Sequence, residues 1–181
     1  MKTEAFGNTR IGQMFFRILA AIMESRLRYR FFGPMKTLQG AGIGPGQKVL
    51  EVGCGTGFFT ITAAKLIGDH GRLVAMDVLP TSIETVSKKV QNANLKNVRV
   101  VKGDAMNTML DSGSMDAVLL FGVIPAPMLP LNRLLPEMHR ILKPGGTMAV
   151  WPPSWMRKSI LRSGLFTYVS KQKGVYNFKR S

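Results

Sequence analysis

Val49-Leu50-Glu51-Val52-Gly53-Cys54-Gly55-Thr56-Gly57 is the stretch that decides how this chain folds. Val49, Leu50 and Val52 make an apolar run short enough for a buried strand. The three alternate glycines then require a tight turn, and the segment after them reads as a helix from about Phe59 to Ile67. Strand, glycine turn and helix together form a ligand cradle, because the turn admits close backbone approach and a helix N-terminus offers unpaired N–H groups. The glycine spacing narrows the ligand. A dinucleotide fingerprint needs G-x-G-x-x-G, but here the pattern is G-x-G-x-G and Phe58 stands where the last glycine would be. No Gly-Lys-Ser/Thr triplet follows, which argues against a phosphate-binding P-loop.

Outward from this turn the chain alternates strand and helix. Arg72–Asp77 and Val98–Lys102 read as strands, and Asp116–Phe121 is a continuous apolar run expected of a strand covered on both faces. Thr81 and Glu84 predict a capping box, with Ile83, Val86 and Val90 on one helical face behind it. Leu131, Leu134, Leu135, Met138, Ile141 and Leu142 mark the inner side of a further helix, whose start Pro136 should delay or whose axis it should kink. Lys143-Pro144-Gly145-Gly146 reads as a turn into a strand over Thr147–Trp151. A short helix over Trp155–Ser163 is followed by two strands, Phe166–Ser170 and Val175–Phe178, around a Lys171–Gly174 hairpin signal. Repeated β-α units imply a doubly wound, mostly parallel α/β sheet.

The spacing E-x-G-x-G-x-G resembles the first motif of the class I S-adenosylmethionine-dependent methyltransferases. Later segments add to the resemblance: V-A-M-D ending at Asp77, V-V-K-G-D-A containing Asp104 and Ala105, and Glu137–Ile141 with L-K-P-G-G, which are similar to the ubiquinone/menaquinone-type and phospholipid-type enzymes. It spans roughly Val49–Val150 and implies a seven-stranded Rossmann-like sheet ending in an antiparallel hairpin, with S-adenosylmethionine as cofactor. It also assigns residues. Glu51 would lie near the sulfonium and the methionyl amine, and Asp77 would accept from the ribose hydroxyls. Val78 would pack on the adenine, and Asp104 with Ala105 would contact its edge. Gly53, Cys54, Gly55, Gly57, Phe58 and Phe121 complete the expected cofactor site. Residues Phe121 to Pro127, among them Gly122, Ile124 and Pro125, would line the acceptor pocket with Pro152–Trp155 and Tyr29. No metal site is expected and no catalytic base is assigned. His70 falls at the amino edge of the sheet and His139 late in a covering helix, both in structural positions. The residues after the fourth strand match neither the N/D-P-P-Y/F signature of amino-directed nucleic-acid enzymes nor a cysteine nucleophile.

Charge divides the chain unevenly. The net charge is +5 over residues 1–36, +3 over 37–150 and +7 over 151–181, within a total of +15. Residues 1–36 are expected to form an extension to a domain over 37–181. Ile11–Phe32 reads as an amphipathic helix closed by Gly33-Pro34: Arg10, Arg17, Glu24 and Arg28 share one stripe, away from Ile11, Phe15, Ile18, Leu19, Ile22 and Met23. It is too short and charged for a membrane span, and Arg17 interrupts any signal-peptide core. An apolar face bordered by cations suits the surface of an anionic bilayer. The single cysteine, Cys54, excludes an internal disulfide and suits a reducing, cytoplasmic setting.

The leading expectation is therefore a peripheral-membrane methyltransferase on the inner membrane face, acting on a lipid-like acceptor such as a quinone-type ring or a phospholipid headgroup. An RNA methyltransferase is the alternative, since Phe166, Tyr168, Lys171, Lys173, Tyr176, Phe178 and Lys179 interleave aromatic and basic residues. A non-catalytic S-adenosylmethionine-binding protein is another. The N-terminal helix would serve equally as a lid or a dimer interface, and the oligomeric state stays open.

Overall fold

The computed structural model describes residues 33–123, 130–151 and 156–181. The expected helix over 11–32, Tyr29, Ile124, Pro125 and Trp155 lie outside them. The elements are α1 (Pro34–Gly40), β1 (Lys48–Val52), α2 (Thr60–Ile67), β2 (Arg72–Asp77), α3 (Pro80–Asn92), β3 (Val98–Lys102), β4 (Met115–Phe121), α4 (Leu131–Ile141), β5 (Leu142–Trp151), α5 (Met156–Arg162), β6 (Phe166–Gln172) and β7 (Val175–Arg180). Seven strands form one sheet in the order β3-β2-β1-β4-β5-β7-β6. β1 to β5 are parallel, and β7 pairs antiparallel with both β5 and β6. The strand order reverses between β1 and β4, the crevice where open α/β sheets bind ligands.

Strand alternation divides the core. Leu50, Val52, Met76, Val118, Leu120, Val150 and Phe178 face α4 and α5. Val49, Leu73, Ala117, Leu119, Ala149 and Val175 face α1 and α2. Side chains on successive positions point to opposite faces, so Glu51 follows Val49 to the α2 side. Burial of each large apolar side chain in these layers contributes about 1.5–3 kcal/mol. Among the described residues no helix is long and apolar enough to cross a membrane.

Several local expectations are corrected. The capping box does not form: α3 begins at Pro80 with Leu79 as N-cap and no side-chain cap. Pro at the first helical position is pre-organised and needs no N–H partner. Glu84 instead pairs with Lys88 one turn on, at 2.6 Å. Pro136 does not delay α4, which starts at Leu131 and contains it. Lys143–Gly146 is not a turn ahead of a strand but an irregular insert within β5, where Met115 pairs with Leu142 and Ala117 already pairs with Thr147. Gly145 takes the positive φ that this detour requires. The hairpin loop is only Lys173-Gly174, both at positive φ, the geometry that matches strand twist.

α1 spans Pro34–Gly40 and so runs across residue 36. Leu38 is fully buried. Asn177 Nδ2 in β7 donates to the Gly40 carbonyl at 2.8 Å, and Lys173 Nζ donates to Gln39 Oε1 at 2.5 Å. α1 is thus built into the sheet's α2 face.

Candidate functional site

The carboxyl ends of β1, β2 and β3 lie side by side, so Gly53–Gly57, Asp77 and Asp104 share one edge. Gly53, Gly55 and Gly57 all have positive φ. At Gly53 this is compulsory twice over, because a Cβ there would also overlap Val123 Cγ1. The turn is fastened from beneath. The amides of Gly53 and Cys54 both donate to the Met76 carbonyl, at 2.8 and 3.0 Å, and Gly57 N donates to the Cys54 carbonyl. Gly55 N donates to Asp77 Oδ2 at 2.9 Å. These amides are committed within the protein. What the glycines present to a ligand is bare backbone surface.

Two carboxylates flank this turn in a dry setting. Glu51 is 2 % exposed, and Thr60 Oγ1, in the first turn of α2, donates to its Oε2 at 2.6 Å. Burial pushes the Glu51 carboxyl up to about 8, opposed by the Thr60 hydroxyl and reinforced by the Asp77 charge. Burial likewise raises Asp77, against the hydrogen bonds it accepts from Leu79 N and Gly55 N. Among the described residues, the groups acting on these two acids are amides, hydroxyls and, for Glu51, the Asp77 charge, with no cation among them. Buried carboxylates without a counter-ion suit a ligand that brings positive charge. Thr56 Oγ1, inside the turn, is buried without a hydrogen-bond partner and suits a ligand with polar atoms.

The neighbouring positions fall into place around this pair. Asp104 Oδ1 accepts from Met106 N at 2.8 Å, and Gly103 N donates to the Asp77 carbonyl at 3.0 Å, tying β3's end to β2's. Ala105 is buried and Val78 half-buried beside them. Cys54 packs with Ala75, Val86 and Val90 under the turn, and burial with the nearby acids raises its thiol, so it stays protonated. Phe58 and Phe121 are each at most 4 % exposed. Both meet Phe59 edge-on, at 4.8 and 5.0 Å between centroids, so they support the site from the α2-side core. Gly122, at positive φ, donates its N–H to the Trp151 carbonyl at 2.8 Å, joining the ends of β4 and β5. His70 is exposed ahead of β2. His139 Nε2 lies 3.2 Å from the Ser181 carbonyl and its ring meets Phe166 edge-on, both far from the turn in sequence and contact.

Sequence reasoning missed Thr60 and Thr56. For Thr60 a signal existed: a hydroxyl residue in the helical turn facing the end of β1. Val123 falls in the stretch read as acceptor pocket, but its seat over Gly53 depends on where two separate strand ends meet.

Residues 49–146 match the family model described as a methyltransferase domain. A demethylmenaquinone methyltransferase of Staphylococcus epidermidis is 39% identical over 102 residues, covering 56% of this chain and 41% of its own. One from Bacillus cereus is 31% identical over 134 residues, 74% of this chain and 56% of its own. The chain thus spans about half the length of these curated relatives. A SAM-dependent methyltransferase from Aquifex aeolicus superimposes with a TM-score of 0.75 at 25% identity, covering 92% of this chain and 96% of that one.

Proposed function

The chain belongs to the methyltransferase-domain family, and on that premise we propose that it transfers a methyl group from S-adenosylmethionine to a lipid-like acceptor, a quinone-type ring or a phospholipid headgroup, at the inner membrane surface. The observation that carries the cofactor assignment is the pair of buried carboxylates, Glu51 and Asp77, flanking the glycine turn with no cation among the described groups that act on them. When bound, S-adenosylmethionine supplies an activated methyl on a sulfonium and a cationic amine. Glu51, held by Thr60, would face that positive charge, and Asp77, at the end of β2, would accept from the ribose hydroxyls in exchange for hydrogen bonds it now takes from its own chain. Asp104 has Oδ2 left for the adenine amine. Gly53, Gly55 and Gly57 let the chain pass close beside the ligand. With the methyl already activated, holding the acceptor carbon or heteroatom in line at about 3 Å provides much of the rate. The residues after β4 and β5 would set that position.

The quinone-type acceptor is supported by relatives named demethylmenaquinone methyltransferases. The basic flanks support a membrane surface as its source. The test is methyl-labelled S-adenosylmethionine given to the protein in a fractionated cell extract. Label in the lipid fraction is the expected result. Label in RNA overturns the acceptor assignment, and no transfer to any fraction overturns the activity.

A further inference from the structure

We propose that the β6-β7 hairpin tip and the start of α5 form a docking surface for an anionic phospholipid bilayer, one that turns the methyl-transfer edge toward the lipid. The inference rests on the membrane-surface reading above and locates it on particular residues of the folded domain.

The sheet register places this surface. Val150 pairs with Tyr176, and Gln172 pairs with Val175 across the turn. The tip therefore lies at the same edge of the sheet as Trp151 and Phe121, the carboxyl edge that carries Gly53–Gly57. Gly174 sits against the Trp151 indole, which is bonded through its carbonyl to Gly122. From ligand turn to hairpin tip the edge is continuous: Gly53, Val123, Gly122, Trp151, Gly174.

Charge on this part of the molecule has one sign. No Asp or Glu follows Glu137 in the sequence, so β5, α5, β6 and β7 carry cations only. A bulge at Val169 gathers some of them. Tyr168 pairs with Phe178 and Ser170 with Asn177, so the ladder gains a residue and Lys171 returns to the face of Tyr168. There Arg157 lies 4.4 Å from the Tyr168 ring centroid and Lys171 lies 5.0 Å from that of Tyr176. Each cation holds its charged head over a ring while the residue stays exposed, an arrangement suited to the headgroup layer. Val169 adds an exposed apolar side chain, 54 % accessible. Lys173 stands at the tip.

The same stacking favours a bilayer over RNA. Base recognition needs open aromatic faces, and here a face of each tyrosine is already covered by a cation. Lipid phosphates need only the exposed charges.

The test is co-sedimentation of the full chain with phosphatidylcholine vesicles containing about one-third phosphatidylglycerol, near physiological salt. The variants are a neutralising triple, Arg157→Gln with Lys171→Gln and Lys173→Gln, and a charge-keeping triple, Arg157→Lys with Lys171→Arg and Lys173→Arg. A control triple, Lys65→Gln with Lys96→Gln and Arg99→Gln, lies toward the β3 end of the sheet. Each cation near an anionic surface is worth roughly fivefold in partitioning. The neutralising triple should therefore bind about 100-fold more weakly, while the charge-keeping and control triples bind like wild type. Less than a threefold loss in the neutralising triple overturns the proposal, as does equal loss in the control triple or failure of wild type to bind. Tighter binding of wild type to a mixed-sequence RNA, lost in the neutralising triple, also overturns it. Methyl transfer to a detergent-solubilised quinone-type acceptor is read separately. Its absence alongside patch-dependent vesicle binding would sink the acceptor assignment and leave the docking surface standing.

Discussion

Replacing Glu51 with glutamine should make the protein more stable at alkaline pH while weakening its hold on S-adenosylmethionine. In the folded chain the Glu51 carboxyl is raised from 4.5 to about 8, chiefly by burial. Below pH 4.5 the acid is protonated both folded and unfolded. Between 4.5 and 8 the folded state keeps the proton and the unfolded state does not, so stability falls as pH rises, by about 1.4 kcal/mol per pH unit. Summed over that window the loss approaches about 5 kcal/mol, and relaxation and water entry would reduce it to about 2–4. Glu51→Gln removes this loss and keeps an acceptor for Thr60 Oγ1. The assay is urea unfolding of wild type and variant at pH 5, 7 and 9. The variant should be within about 1 kcal/mol of wild type at pH 5 and about 2–4 kcal/mol more stable at pH 9. Asp77, raised in the same direction, leaves a residual slope in both. Saturating S-adenosylmethionine should flatten the wild-type slope, because its positive charge favours the ionised acid. Parallel pH profiles for the two proteins without ligand would refute the reasoning, and so would a variant that binds the cofactor as tightly as wild type.

Gly53→Ala should lower stability by about 1–3 kcal/mol and abolish cofactor binding, since the added methyl meets Val123 at a positive φ; thermal melts and calorimetric titration read both. Glu137, held down to about 2 by Arg140 and Thr108, contributes stability that is full above pH 4.5 and lost as pH falls toward 2. Glu137→Gln should therefore cost about 2 kcal/mol at pH 7 and flatten the acid limb of an unfolding curve. Asn177→Ala should cost about 1–3 kcal/mol, because it strips the Gly40 carbonyl of its buried donor, and hydrogen exchange in α1 should rise with it. Cys54 should react with a maleimide roughly 100-fold more slowly in the native protein than in urea, its thiol being buried and protonated.

What the sequence disclosed and what it withheld follow from how local each cause is. β2 and β3 were readable to the residue because their apolar runs are bounded by Gly71, Asp77, Asn97 and Gly103. The glycine turn, Asp77 and Asp104 were readable because their spacing is set along one chain segment at a time. α1 was not. Its seven residues have little propensity to stand as a helix alone, and they are held by Lys173 and Asn177 more than 130 positions away. The capping box failed because Asp77 takes the Leu79 amide at 2.9 Å and Pro80 fills the first helical position, so the acid beside the glycine turn also sets where α3 begins. The placement of Lys171 beside Tyr168 depends on the bulge at Val169, which no periodicity announces.

The glycine turn and its two acids should hold S-adenosylmethionine and not a dinucleotide. Calorimetric titration of wild type and Asp77→Ala with S-adenosylmethionine and with NAD tests it most directly. Wild type should bind S-adenosylmethionine with one site per chain and NAD not measurably, and loss of the Asp77 hydrogen bonds should weaken binding about 100-fold. Comparable affinity of wild type for NAD, or an Asp77→Ala variant that binds S-adenosylmethionine unchanged, would rule out this assignment of the turn and its acids.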